Sequence, residues 1–281
     1  MKARFDGLFC FSKRAGFMSE TVNHEEKRRK KGRVILIIIG LLLVIFGSVY
    51  LGYYLYAQYA ASQNEEFASS VAQTTAAVNE SLAENPIDFP SLQKQNKDIY
   101  AWLKVPGTKV DYPIVQHPDD DDFYLKHSAY DKKWSSSGAI YTELGNTNTF
   151  RDTVTVVYGH NGYGDSMFTT LHRFEKTDFF NKHEKFYIYM PHRKLTYQIV
   201  SAFKFDDRHI LNCFDFNNTQ VIEDFFKMIQ SPDTNNKNVR KSLNKQITIE
   251  DNVVILSTCF TNQRSNRYLV CGVLIKDEKT N

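Results

Sequence analysis

The chain has few cysteines, four in 281 residues. Four cysteines could form two disulfides outside the cell. Cys10, however, precedes a long uncharged segment that we assign to a membrane below, so three cysteines at most can meet. A Cys259–Cys271 bridge between adjacent strands is conceivable, but it would consume a thiol that ends a buried strand. We therefore expect Cys213 and Cys271 to be ordinary packing residues, without a disulfide framework.

Spacings typical of metal sites are also missing. Six histidines show no paired ligand pattern such as H-E-x-x-H: His117, His127, His172, His183, His192 and His209. The acidic run Asp119 to Asp122 lacks the alternation of a calcium loop, which favours a solvated loop over a calcium site. The sequence therefore predicts neither a metal nor a cofactor.

Most of the chain lacks a basic surplus. Residues 1–33 hold ten Lys or Arg against four Asp or Glu, a net of +6, so the remainder carries −3 of the total +3. A nucleic-acid-binding face needs clustered positive charge to neutralise phosphates. The charge distribution therefore argues against a nucleic-acid partner for the folded part.

Charge is absent altogether from Val34 to Ala57. About 20 apolar residues suffice to cross a bilayer core, and four tyrosines between Tyr50 and Tyr56 suit the far interface. The basic run Lys27–Arg33 should remain in the cytoplasm, which directs the rest of the chain outside. A retained anchor is favoured over a cleavable signal peptide, although the alanines after the segment leave that alternative open.

These patterns predict four parts. Residues 1–33 form a basic cytoplasmic tail, 34–57 a transmembrane anchor, 58–87 an extracellular stalk and 88–281 the folded domain. The stalk is rich in Ala, Ser, Thr, Glu and Gln and has too few large apolar residues to build a core. Pro86 and Pro90 mark the boundary of the folded domain.

Within the folded domain, short strands outnumber helices. A short helix is expected at Ser91–Ile99, and an amphipathic helix is expected where apolar residues between Val221 and Ile229 fall at helical spacing. Strands are expected at Ala101–Val105, Val110–Val115, Gly138–Thr142, Val154–Tyr158, Phe186–Met190, Leu195–Phe205 and from Val253 onward. Many short strands with few helices predict a mainly β, closed barrel.

The stretch from Val253 to Gly272, VVILSTCFTNQRSNRYLVCG, contains the clearest candidate chemistry. An apolar run leads into Cys259, a polar loop follows, and Arg267 opens a second apolar run. Two adjacent strands would bring this thiol and this cation to one end of a sheet. A cation near sulfur favours the thiolate, and Arg offers several N–H donors to an oxygen that gains charge during acyl transfer.

A second strand ends in the same kind of position. The segment Val154–Asn161, VTVVYGHN, delivers His160 at its carboxyl end. A lone Cys after a strand is usually a small buried residue, and a lone His is usually structural. Together they supply the pair that thiol–imidazole catalysis needs.

These motifs resemble the sortase transpeptidases, and the class B sortases in particular. The resemblance lies in L-S-T-C at Leu256–Cys259, the earlier strand that ends in His160 and the Arg that follows the Cys. It extends to WLKVPGTKVDYPIVQ at Trp102–Gln116 and to YLKHSAYDKKWSSSGAIYTE at Tyr124–Glu143, in colinear order. It implies a sortase-like closed β-barrel with a few flanking helices, preceded by one transmembrane helix.

The resemblance also implies residue roles. Cys259 would be the nucleophile, His160 the proton-transfer group and Arg267 the oxyanion donor. Arg264 competes for the last role, but R-Y-L-V-C-G at Arg267–Gly272 fits the family pattern better. Leu125, Ser257 and Thr258 are candidate substrate-binding residues. The group that orients His160 cannot be assigned from the sequence.

The leading hypothesis is a membrane-anchored cysteine transpeptidase on the outer face of a Gram-positive cell membrane. It would cleave the C-terminal sorting signal of a secreted protein and transfer the thioacyl product to an amine, on a cell-wall precursor or a pilin lysine. A hydrolytic cysteine peptidase is the enzymatic alternative, although in papain-like chains the Cys precedes the His. A single-pass surface adhesin or sensor is the non-enzymatic alternative.

Overall fold

The computed structural model describes residues 31, 33, 35–63, 66, 82–162, 164–243 and 246–280, without the side chain of Arg264. The chain divides into two units between Tyr56 and Ala57. Helix α1, Ile35–Gln63, is 29 residues long. Its large apolar side chains are exposed. Among the described residues it is the one helix whose length and composition suit a membrane span, as the uncharged segment predicts.

In the described part of the second unit, nine strands form a single sheet. Their bounds are β1 Ile99–Lys104, β2 Asp111–Val115, β3 Ile140–Tyr141, β4 Val154–Tyr158, β5 Lys185–Met190, β6 Arg193–Asp206, β7 Lys237–Val239, β8 Val253–Phe260 and β9 Gln263–Lys279. The strand order is β5-β1-β2-β3-β4-β8-β9-β6-β7, and an additional β5–β6 pairing closes eight strands into a barrel. Strand β7 pairs with β6 outside this closed ring. The predicted mainly β barrel is therefore confirmed.

Two pairings in the barrel are parallel, β2 with β3 and β4 with β8. The other neighbours run antiparallel. A parallel pair directs both carboxyl ends to the same rim. The parallel β4–β8 pair therefore places the residues that follow Tyr158 and those that follow Ser257 at the same rim of the barrel.

Among the residues that the structure describes, four helices flank the barrel: α2 Phe89–Gln95, α3 Thr177–Lys182, α4 Ile210–Cys213 and α5 Thr219–Gln230. Turns of 3-10 helix occur at Phe123–Leu125 and Thr169–Glu175. Asp88 caps α2 by accepting from the Ser91 N–H, and Asn218 caps α5 by accepting from the Gln220 and Val221 N–H groups.

The core has two layers that share strand β8. Val254 and Leu256 belong to the cluster that fills the barrel, and Val253 and Ile255 belong to the cluster beneath α5. Alternate residues of one strand thus face two buried environments, as the uninterrupted apolar run predicts. Helix α5 closes the outer cluster with four buried side chains at helical spacing: Ile222, Phe225, Phe226 and Ile229.

The strand predicted at Val154–Tyr158 matches β4 at both ends, and the helix predicted around Val221–Ile229 matches α5. The predicted polar loop after Cys259 is wrong. Strand β8 continues through Phe260 and β9 begins at Gln263, so two residues make the turn. The second of them, Asn262, adopts a positive φ of 60°, which asparagine tolerates better than most residues. A tight hairpin replaces the expected loop.

Candidate active site

The parallel pairing of β4 with β8 sets the positions of the imidazole and the thiol. Tyr158 and Ser257 are Cα partners at the end of this ladder. The pairing extends one step further, because the Gly159 N–H donates to the Ser257 carbonyl at 3.1 Å. His160 directly follows Gly159, and Cys259 lies two residues after Ser257, so both stand at the same rim of the barrel.

The antiparallel hairpin sets the position of the guanidinium. Cys259 pairs with Arg267 across β8–β9, whereas the next residue, Phe260, pairs with Gln263. Between these two pairs, β9 therefore has three more residues than β8, a bulge of the kind found beside active sites. The register makes Arg267 the partner of Cys259. Arg264 lies within the bulge, and its side chain is outside the described part of the structure.

All six predicted site residues line a single cavity of about 230 Å³: Leu125, His160, Ser257, Thr258, Cys259 and Arg267. Cys259, His160 and Arg267 are half-buried, which combines a fixed position with access from solvent. Ser257 and Thr258 are buried in the wall. The Thr258 hydroxyl has no hydrogen-bond partner among the described residues. Groups that lie far apart in sequence thus converge at one cleft.

The orientation of His160 depends on two neighbours that sequence patterns did not identify. The Nε2 atom lies 2.8 Å from the Leu125 carbonyl oxygen, an acceptor that selects the tautomer with hydrogen on Nε2. A backbone carbonyl leaves no trace in residue identity, so the sequence could not reveal this contact. Gly159, the residue before His160, lets the backbone pass close to the side chains of Ile140 and Phe168. A Cβ at this position would lie 2.5 Å from Ile140 Cδ1 and 2.8 Å from Phe168 Cδ2.

A polar cluster at the backbone of Cys259 was also missed by sequence reasoning. The carbonyl oxygen of Cys259 lies 3.2 Å from Asn161 Nδ2 and 3.1 Å from His172 Nε2. The other ring nitrogen of His172, Nδ1, lies 2.5 Å from a Glu175 carboxylate oxygen. The only sequence sign of this cluster is that Asn161 directly follows His160.

A histidine and a carboxyl group in contact with each other also line the cavity. Glu143 pairs with His209 at 2.9 Å and is 9% exposed. Burial raises the pKa of the Glu143 carboxyl, and the bond from His209 opposes that shift. Beside the pair, the rings of Tyr141 and Tyr158 stack at 5.5 Å. These residues give one wall of the cavity aromatic character and a charged end.

A larger cavity of about 920 Å³ adjoins the first and shares Asp122, Glu143 and His209 with it. None of the six predicted site residues lines this larger cavity. The site chemistry therefore belongs to the smaller cavity, and the larger one extends the cleft along the surface.

The cysteines beyond Cys259 differ from each other in their surroundings. Cys213, Cys259 and Cys271 are all free thiols in the described part of the chain, and Cys10 lies outside it. Cys271 is fully buried, as expected of a packing residue, and burial raises the pKa of its thiol to about 12. The prediction that Cys213 packs in the core is wrong, because it lies at the end of α4 and is exposed.

The closed barrel with a thiol, an imidazole and a guanidinium along one cleft is typical of cysteine transpeptidases. The family model for the sortase domain matches residues 103–275. The chain belongs to the sortase family, and its similar relatives are of class B, as the sequence motifs predict.

Three relatives illustrate this similarity. Sortase B of Listeria monocytogenes is 28% identical over 242 residues, which cover 85% of this chain and 94% of the relative. A Staphylococcus aureus sortase B–substrate complex superposes with a TM-score of 0.59 at 26% identity, covering 76% of this chain and 92% of that one. A sortase B structure in complex with triglycine gives a TM-score of 0.56 at 28% identity, covering 67% of this chain and 85% of that one.

Proposed function

We propose that this sortase is a membrane-anchored cysteine transpeptidase that cleaves a C-terminal sorting signal and transfers the acyl product to an amine. The observation that carries the proposal is the convergence of Cys259, His160 and Arg267 at one cleft, set by two adjacent strand pairings. Membership of the sortase family supports the reaction class. The individual residue roles follow from their chemistry and position.

In the first half-reaction the Cys259 thiolate attacks a peptide carbonyl carbon, and a C–S bond forms. The electron pair of the carbonyl moves to its oxygen, where the Arg267 guanidinium donates hydrogen bonds to the developing charge. The C–N bond then breaks, and His160 gives a proton to the departing amine. Because Nε2 of His160 donates to Leu125, Nδ1 is the ring nitrogen that exchanges this proton.

In the second half-reaction an amine attacks the thioester carbon. His160 accepts the proton that the amine loses, the C–S bond breaks and the Cys259 thiolate is restored. A new amide bond therefore replaces the one that was cleaved, and no oxidant, metal or cofactor takes part. Cleavage and transfer use the same three groups in reverse order, as microscopic reversibility requires.

Leu125, Ser257 and Thr258 are proposed to contact the sorting-signal peptide. Their position in the cavity wall supports this role. The buried Thr258 hydroxyl has no partner among the described residues, and a peptide N–H or C=O at the cleft would provide one. The substrate complex of the S. aureus relative supports a peptide partner.

The acceptor is proposed to be an amine of a lipid-linked peptidoglycan precursor or of a pilin. A similar sortase B was solved in complex with triglycine, which supports a peptide acceptor for this chain. Both acceptors present the same reacting group, a primary amine, so the chemistry at Cys259 is common to them. No nucleic acid or metal is required at any step.

Helix α1 is proposed to anchor the protein in the cell membrane of a Gram-positive bacterium as a single span. Its length and composition support a span, and the basic residues 27–33 favour a cytoplasmic N-terminus. The proposed order is cytoplasmic tail 1–33, anchor 34–57, stalk 58–87 and catalytic domain 88–281. This arrangement holds the catalytic domain on the outer face, where secreted substrates and wall precursors meet.

The test is a transfer assay with the full chain in detergent. A library of fluorogenic peptides with C-terminal sorting motifs is screened for cleavage, with triglycine as acceptor. We expect a transfer product with the wild type and Cys271→Ala, and none with Cys259→Ala. Retained transfer by Cys259→Ala would remove the assignment. Cleavage that triglycine never intercepts would favour the hydrolytic peptidase, and binding without cleavage would favour the adhesin.

A further inference from the structure

We propose that Asn161 and His172 are positioning residues that fix the Cys259 peptide unit and so hold its thiol toward the cleft. The inference rests on the proposed function, since it assigns a support to the proposed nucleophile. It starts from the end of β4. Strand β4 pairs with β8 only as far as Tyr158, and Gly159 makes the last backbone bond, to Ser257.

Beyond that point two side chains replace the missing strand. Along a strand, carbonyls two residues apart point to the same side, so the Cys259 carbonyl follows that of Ser257. It faces Asn161 Nδ2 at 3.2 Å and His172 Nε2 at 3.1 Å. The Cys259 carbonyl oxygen thus has two side-chain nitrogens within hydrogen-bond distance where the ladder offers no backbone donor.

Asn161 links the two halves of the site directly. Its amide also approaches the Thr261 hydroxyl at 3.2 Å, in the hairpin turn that follows Cys259. The same nitrogen also lies 3.3 Å from His172 Nε2. The Asn161 amide, with two hydrogens to donate, therefore lies among three polar groups around Cys259. Because Asn161 is the neighbour of His160, the segment that carries the imidazole is also hydrogen-bonded to the backbone of Cys259. The separation of imidazole and thiol is fixed by this link.

His172 is itself held in place. Its Nδ1 lies 2.5 Å from Glu175, and its ring stacks on Tyr268 at 4.8 Å and meets the Phe260 edge at 5.8 Å. Its side chain is 13% exposed. Glu175 in turn accepts from Asn236 at 3.2 Å. A polar contact at each ring nitrogen and an aromatic face leave the ring little freedom.

A loose carbonyl would let the Cys259 peptide rotate and move its sulfur. Small misplacements of a reacting group cost up to about 100-fold in rate. Loss of one of these two side-chain contacts should cost less, and we expect about a ten-fold loss. The loss should fall on the chemical step, since neither side chain is among the residues that line the cavity.

The experiment makes three measurements on the full chain. The first is the rate at which iodoacetamide alkylates Cys259, read by mass spectrometry of the Cys259 peptide. The others are the kinetic constants kcat and KM for the peptide selected by the library screen, and the unfolding midpoint. Asn161→Asp keeps the shape and replaces the donor by an acceptor. His172→Phe keeps an aromatic ring and removes both ring nitrogens. His172→Gln keeps a hydrogen-bonding amide near the position of Nε2.

We expect Asn161→Asp and His172→Phe to lower both the alkylation rate and kcat about ten-fold, with KM within about two-fold of the wild type. His172→Gln should recover most of the loss. His183→Phe is the matched control, because His183 also meets a backbone carbonyl, that of Phe179 at 3.0 Å, but lies outside the cavity. It should leave all kinetic values unchanged.

The proposal is overturned if folded Asn161→Asp reacts at the wild-type rate, or if His172→Gln is as impaired as His172→Phe. A shift in the unfolding midpoint alone, without a change in alkylation rate, also overturns it. If His172→Phe fails to fold, Asn161→Asp decides the matter, since it is isosteric. These outcomes are distinct from failure of the proposed function, which would appear as transfer by Cys259→Ala.

Discussion

Cys259 and Arg267 are direct partners across the antiparallel β8–β9 ladder. Backbone pairing fixes the distance between their Cα atoms, so the register of one hairpin determines which arginine lies opposite Cys259. A shift of one residue would turn the Arg267 side chain to the other face of the sheet. The three-residue bulge before Arg267 allows the β8–β9 turn to remain tight while this pairing is kept.

The first prediction concerns this arginine. Arg267→Ala should lower kcat by about 10²–10³-fold, the usual cost of one oxyanion donor. Arg267→Lys should recover only part of the loss, because an ammonium does not reproduce the planar fork of donors. Steady-state kinetics on the library-selected peptide provides the measurement. Arg264→Ala is the matched control and should stay near wild type. A larger loss in Arg264→Ala than in Arg267→Ala would contradict the assignment.

The second prediction separates the three thiols of the folded domain. At pH 8 iodoacetamide should alkylate Cys259 and the exposed Cys213 in the native chain and leave Cys271 unmodified, because burial raises the pKa of the Cys271 thiol to about 12. Unfolding in guanidinium should expose all three. Peptide mass spectrometry gives each extent of labelling. Native labelling of Cys271 at the rate of Cys213 would contradict the buried position in β9.

The third prediction is the pH dependence that comes from Glu143. Burial raises the pKa of this carboxyl above its ordinary 4.5, so the folded chain binds the proton more tightly than the unfolded chain. Its contribution to stability is therefore greatest below pH 4.5 and is lost as the pH rises through the raised pKa. Glu143→Gln has no carboxyl group to ionise and does not lose this contribution. The difference in melting temperature, variant minus wild type, should therefore increase as the pH rises from 4 to neutrality.

Asp224→Asn provides the comparison for Glu143→Gln. The Lys227 side chain lowers the pKa of the Asp224 carboxyl, so its contribution to stability is present at neutral pH and fades as the pH falls. Its pH trend should have the opposite sign. Parallel melting curves for Glu143→Gln and the wild type across this range would refute the third prediction.

The fourth prediction concerns the buried guanidinium of Arg240. It donates to the Ile199 carbonyl at 2.9 Å and the Phe180 carbonyl at 2.9 Å, and it pairs with Glu184 at 3.2 Å. Arg240→Met leaves two carbonyls without these donors, which should lower the free energy of unfolding by about 2–4 kcal/mol. Denaturant titration measures the change.

Lys227→Met serves as the control for Arg240→Met. Lys227 is 68% exposed in its ion pairs on α5, so its loss should change stability by less than about 1 kcal/mol. Equal effects of the two substitutions would show that the Arg240 bonds contribute no more than a surface pair.

The sequence predicts this fold well where one strand faces two buried layers. The uninterrupted apolar run before Ser257 and the run at Val154–Tyr158 both correspond to central barrel strands. It predicts the hairpin poorly, because Thr261 to Asn266 are polar and resemble a loop. In the structure most of these residues belong to β9, which pairs on both sides over much of its length. Strand pairing thus overrides local propensity.

The same contrast applies to the site. The convergence of Cys259, His160 and Arg267 could be predicted, because reactive residue types at the ends of predicted strands can be recognised in the sequence. The Leu125 carbonyl could not be predicted, since every residue has a carbonyl. His172 and Glu175 lie in a 3-10 turn without a periodic pattern, and only the folded chain brings them behind Cys259. Supporting contacts depend on tertiary structure more than on residue type.

Cys259 is proposed to carry the acyl group between donor and acceptor. The most direct test is to mix the full chain with the library-selected peptide in the absence of any amine and to record the intact mass and the modified peptide. We expect an adduct on Cys259 with the mass of the acyl fragment. Hydroxylamine should release this adduct, and Cys259→Ala should never form it. Turnover without an adduct on Cys259, or an adduct on Cys213 instead, would contradict this proposal.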